Sequence, residues 1–119
     1  MDCLELAAKA SDAAIEINNW LLKGAAPNQQ VSNLARCLYE LGQRPRSLYQ
    51  DLVTDFIGYG DGEINSEDAY SNLRILAQDF ENFQMLSRQR QEELGSLCMR
   101  LTKVSLDHSR QYHFGRQVA

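Results

Sequence analysis

Apolar residues recur every three or four positions along almost the whole chain, which is the period of an α-helix and not of a strand. Cys3, Leu6, Ala10, Ala13, Ile17 and Trp20 form the first such row, while Asp2, Glu5, Lys9, Asp12, Glu16, Asn19 and Lys23 occupy other faces. Gly24 suits the position just past this helix, because glycine tolerates the left-handed conformation there. The row is rich in alanine, so a second helix can approach closely, and Trp20 is its expected core anchor. Ala25-Ala26-Pro27 connects to a second helix, with Asn28 as its cap and Val31, Leu34, Ala35, Leu38 and Leu41 as its apolar face. Arg44-Pro45-Arg46-Ser47 is a turn in which Pro45 fits the start of a helix. The third helix carries Leu48, Tyr49, Leu52, Val53, Phe56 and Ile57, a stripe wide enough to be covered by more than one neighbour.

Gly58-Tyr59-Gly60-Asp61-Gly62 interrupts the pattern, and Asn65-Ser66-Glu67-Asp68 opens a capped, acidic helix start. From there to His108 the chain has no proline, and Gly95 is the sole glycine. This predicts one helix of ~43 residues, or ~65 Å at 1.5 Å per residue, with residues 109–119 frayed. The expected fold is therefore all-α: a small helical bundle of three short N-terminal helices packed on one long C-terminal helix. Residues 1–108 would form a single domain and 109–119 a flexible basic tail. Trp20, Leu48, Leu52, Phe56 and Phe80 are the expected core of one protomer.

Two apolar seams share the long helix. Leu73, Leu76, Phe80 and Phe83 form one; Leu94, Leu97, Leu101 and Val104 form the other; the polar stretch Ser87-Arg88-Gln89-Arg90-Gln91 separates them. A compact chain of this length has a radius of gyration of ~13–14 Å, so a ~65 Å helix would overhang its own domain. The second seam, flanked by Arg90, Arg100 and Lys103, is thus expected to be an intermolecular surface comprising Arg90, Leu94, Leu97, Arg100, Leu101, Lys103 and Val104. The competing expectation is a break near residues 88–92 that folds the second half back as a hairpin.

Composition narrows the function classes. The chain has 119 residues, 44% of them apolar and 24% charged, ordinary values for one globular domain. No unbroken apolar run exceeds three residues, as in Trp20-Leu21-Leu22, against the ~20 needed to span a bilayer. The acidic N-terminus lacks the apolar core of a signal peptide, so a cytoplasmic location is expected. Cys3, Cys37 and Cys98 are odd in number and far apart, which argues against a disulfide framework and for small buried or half-buried thiols.

Charge is asymmetric. Residues 1–87 hold six Lys or Arg against thirteen Asp or Glu; residues 88–119 hold six against three. The acidic majority repels a phosphate backbone, which makes nucleic acid an unfavoured partner. The two helices around Pro45 do not read as a DNA-binding helix-turn-helix, because the second carries Asp51 and Asp55 in place of a basic footprint.

No arrangement carries obvious chemistry. Asp61-Gly62-Glu63-Ile64 resembles the middle of an EF-hand across the window Ile57 to Asp68, with Asp61, Gly62 and Ile64 matching the fifth, sixth and eighth positions. Ile57 and Tyr59 stand where oxygen ligands are needed, and Asp68 replaces the bidentate glutamate. His108 and His113 are five apart, whereas helical metal pairs need spacings of three or four. No nucleophile motif or phosphate-cradling loop is present, and Glu67-Asp68 and Glu92-Glu93 are adjacent pairs that diverge on a helix. No catalytic residue, metal site or cofactor is expected.

What remains is a non-enzymatic protein–protein interaction module: a small regulatory adaptor or inhibitor of anti-activator type that occludes a partner through helical surfaces, as a homodimer. The alternative is a nucleic-acid-associated accessory protein that uses the basic C-terminal segment. The Ile57–Asp68 loop should not bind calcium at physiological concentrations. Isothermal titration is expected to show no binding heat, and a micromolar affinity would contradict this reading.

Overall fold

The computed structural model describes residues 2–26, 29–58 and 64–118, with residues 111–118 as helix backbone alone. The chain forms α1 (Cys3–Lys23), α2 (Gln29–Gln43), α3 (Arg46–Ile57), α4 (Ser66–Glu81), a short 3-10 turn (Phe83–Met85) and α5 (Arg88–Val118). No strand occurs among the described residues. The expected Asn28 cap and the loop residues Tyr59, Asp61 and Gly62 lie outside the described residues.

Local signals explain most helix ends. Asp2 accepts a 2.8 Å hydrogen bond from the Glu5 amide and so caps α1. Gly24 closes the same helix at φ 67°, its N–H bonded to the Trp20 carbonyl. At α4, Asn65 Oδ1 accepts from the Asp68 amide at 2.8 Å while its Nδ2 donates to the Asp68 carboxylate at 2.9 Å. Glu67 and Asp68 then sit in the first turn, where the helix dipole favours negative charge.

The expected continuous helix over 66–108 is replaced by two helices. Asn82 ends α4, with its backbone N–H and its Nδ2 both donating to the Gln78 carbonyl. The chain turns through Phe83–Met85, Leu86 is extended, and the Ser87 hydroxyl accepts from the Arg90 amide at 3.2 Å to start α5. The break lies at 82–87 and not at 88–92. Nor do the halves form a simple hairpin. α4 lies against α2 and α3, whereas α5 lies chiefly against α1 and also against α3. With α1 beside α2, the main contacts close a ring in the order α1, α2, α4, α3, α5.

The bundle measures 49 × 28 × 24 Å with a radius of gyration of 14.3 Å. α1 and α5 run antiparallel, since Trp20 meets Gln91 while Ile17 meets Gly95. A Cβ on Gly95 would stand 3.2 Å from Ile17 Cγ2. This close approach, together with the buried alanines Ala7, Ala10 and Ala13, is what the alanine-rich row predicted. Gly95 weakens α5 locally by about 1 kcal/mol relative to alanine, and tight packing is what it provides in return. α5 continues into residues 109–119, the segment expected as a tail; of its side chains, Ser109 is buried and Arg110 exposed.

Leu52, Phe56 and Phe80 are buried, and Trp20 packs half-buried against the core. Leu48 is not in the core: it is 71% exposed. It stands at the outer edge of the row formed by Tyr49, Leu52, Val53 and Phe56 and so turns toward solvent. Phe80→Ala should therefore cost ~3–5 kcal/mol, while Leu48→Ala should stay within about 0.5 kcal/mol. Chemical denaturation of both variants checks this, and similar losses for the two would contradict the burial described.

Candidate interaction surfaces

The seam expected to face a partner faces inward. Leu94 and Leu101 are almost fully buried, Val104 is 9% exposed, and Leu97 is half-buried against the same core. The reason is the break at 82–87, which lets α5 lie on α1 and α3 and bury the seam within its own chain. The flanking cations separate. Arg90 reaches back to α4, donating to Asp79 Oδ2 at 3.0 and 2.6 Å, and also bonds Glu93 at 2.9 Å. Burial alone would lower the Arg90 pKa, but its hydrogen bonds to Asp79 and Glu93 outweigh that and raise it. The Arg100 guanidinium stacks 5.7 Å from the Phe56 ring. Lys103 is exposed. These seven residues therefore do not share an outer surface.

Several polar side chains tie the helices to one another. The Trp20 indole N–H donates to Gln91 Oε1 at 3.0 Å, and Gln91 Nε2 donates to the Phe83 carbonyl at 3.0 Å. The Trp20 and Phe83 rings meet edge to face at 6.5 Å. Arg88 donates to the Leu21 carbonyl at 3.2 Å, satisfying the C-terminal end of α1. On α5, the ring nitrogen Nε2 of His108 lies 2.7 Å from Asp55 Oδ2 of α3, which ties those two helices.

The three cysteines are free; Cys37 and Cys98 are buried and Cys3 half-buried. Burial pushes the Cys98 thiol up to about 12, so it stays protonated near neutral pH. Burial is also the main cause of the upward shifts at Cys3 and Cys37, with Asp2 adding to the first.

Concave features are shallow. A groove of about 310 Å³ runs along Val31, Ser32 and residues 80–85. Its carboxylate, Glu81, accepts from the Tyr39 hydroxyl at 2.9 Å, and Asn82 is bonded to its own helix. A second depression, lined by Asp2, Leu6, Arg44 and Tyr49 among others, has about 10 Å³, room for no more than a water. Neither gathers the convergent acid, base or nucleophile that reaction chemistry requires. Among the described residues no three His, Cys, Asp or Glu side chains come together to hold a metal ion. Among the described residues no helix is long and apolar enough to cross a membrane.

The outer surface that does stand out is on α1. Leu4, Ile15 and Leu22 are 51%, 58% and 72% exposed. With exposed Ala8 and Asn18 and half-buried Ser11 they follow the 4, 8, 11, 15, 18, 22 spacing of a second helical stripe. Met99, 69% exposed, lies one turn beyond Gly95 on the flank of α5 that meets α1. Assigning the row Cys3–Trp20 as the apolar face of α1 hid this stripe. Its signal was the heptad spacing of Ile15 and Leu22 outside that row. Comparison with known protein families, curated proteins and solved structures finds no match for this chain.

Proposed function

We propose that the chain is a non-enzymatic protein–protein interaction module, a small regulatory adaptor or inhibitor that occludes a partner's surface. The observation that carries this reading is the exposed stripe Leu4, Ile15 and Leu22 along one face of α1. Isolated exposed apolar residues are ordinary, but three large ones in one helical register, with small or polar residues between them, mark a single face able to dock against another helix. Covering a fully exposed leucine or isoleucine is worth roughly 1.5–3 kcal/mol. Three such residues, already partly covered, supply a useful fraction of the free energy of a micromolar complex, about 8 kcal/mol.

The polar inventory supports the same reading. Gln91, Arg88 and Arg90 are engaged in holding helices together, and the groove along Val31, Ser32 and residues 80–85 has Glu81 as its one charged side chain. The nucleic-acid alternative loses ground for a related reason, because Arg88 and Arg90 belong to the basic segment it relied on. Three free thiols suit a reducing compartment, so we place the module in the cytoplasm.

The test is affinity capture with the wild-type chain and an Ile15→Glu/Leu22→Glu variant, both tagged at the C-terminus. A defined protein retained by the wild type and lost by the variant is expected. Identical sets of retained proteins would contradict binding through α1.

A further inference from the structure

We infer that the α1 stripe docks on the same stripe of a second copy, the two α1 helices running antiparallel about a two-fold axis near Ala13. This rests on reading the stripe as a protein-binding face and names its occupant. The argument is one of self-complementarity. In a two-fold contact, if residue i touches residue j then j touches i, so a helix face that pairs with itself must read sensibly from both ends. The positions of the α1 stripe are symmetric about residue 13: exposed Leu4 with exposed Leu22, Ala8 with Asn18, and half-buried Ser11 with exposed Ile15. Antiparallel pairing about that point sets Leu4 against Leu22 of the second copy at each end, about 27 Å apart at 1.5 Å per residue. In the middle each Ile15 meets a Ser11, a large side chain against a small one, as interdigitating helices require.

Charge fits the same register. Asp2 and Glu5 are exposed at one end of α1 and Lys23 at the other. The antiparallel arrangement brings each Lys23 opposite position 3 of the second copy, between Asp2 and Glu5. A parallel arrangement would instead juxtapose like charges at both ends. The inward-facing seam of α5 has no part in this contact.

Sedimentation equilibrium on the full chain at about 100 μM, a concentration at which micromolar dimers are populated, tests the inference. Wild type should approach twice the chain mass of 13.5 kDa. Ile15→Glu/Leu22→Glu should sediment as one chain, and at a concentration low enough for wild type to be monomeric the two should share one thermal midpoint, since both positions are exposed on the single chain. Glu5→Lys and Lys23→Glu should each weaken the dimer about two- to tenfold, and the combined exchange Glu5→Lys/Lys23→Glu should restore it. A monomeric wild type, a dimer untouched by Ile15→Glu/Leu22→Glu, or a charge exchange that fails to restore would overturn it. A monomeric wild type that still retains a partner lost by the Ile15→Glu/Leu22→Glu variant would defeat the self-association alone and leave the interaction-module reading standing.

Discussion

The fold depends on how the chain turns between α4 and α5, and one buried amide, that of Gln91, holds that turn. Its side chain is 6% exposed and satisfied at both ends, by the Trp20 indole of α1 and by the Phe83 carbonyl of the turn. A buried polar group left without a partner costs ~1–3 kcal/mol. The three groups therefore favour a single arrangement, in which the turn, the start of α5 and the end of α1 meet. The Arg90–Asp79 pair and the Arg88–Leu21 bond fix the same junction from its outer side. Both arginines are partly or largely exposed, so they contribute less to stability than to direction. Once α5 is aimed along α1, the close contact of Gly95 with Ile17 follows, and the Leu94–Val104 seam closes over the core.

That turn also marks where the sequence was legible and where it was not. The first three helices could be read because their ends carry strong signals: Gly24, Pro45 and Gly58 stand at or beside helix boundaries. The junction at 82–87 has neither proline nor a glycine. Its stop and start are Asn82 and Ser87, residues whose caps depend on which backbone amide and carbonyl they meet. Gln91 sits in the polar stretch between the two seams, and its partners are 8 and 71 positions away. Such long-range satisfaction leaves no local pattern. Leu48 differs in another way: four residues before buried Leu52 it reads as part of the same stripe, but it stands at that stripe's outer edge and is left in solvent.

The same logic explains the candidate surface. Counting helix length assigned the free apolar face to α5, because an overhanging helix needs a partner. With α5 folded in, that need disappears. The free apolar face belongs to α1, whose two stripes were present in the sequence but were weighed as one. A helix that buries an alanine-rich face close against α5 can still present larger side chains outward, and Leu4, Ile15 and Leu22 do so.

The central claim is that the chain turns at 82–87 and returns α5 along α1. A spin-label distance between Glu67→Cys and Lys103→Cys, in a chain whose half-buried Cys3 is replaced by alanine, tests it most directly. Both positions are exposed. α4 runs toward the end of the bundle that holds Phe83 and Gln91, and α5 runs away from it, so the labels should lie less than about 35 Å apart in a body whose smaller dimensions are 28 and 24 Å. One continuous helix would separate them by about 54 Å at 1.5 Å per residue, and a distribution centred there would contradict the account.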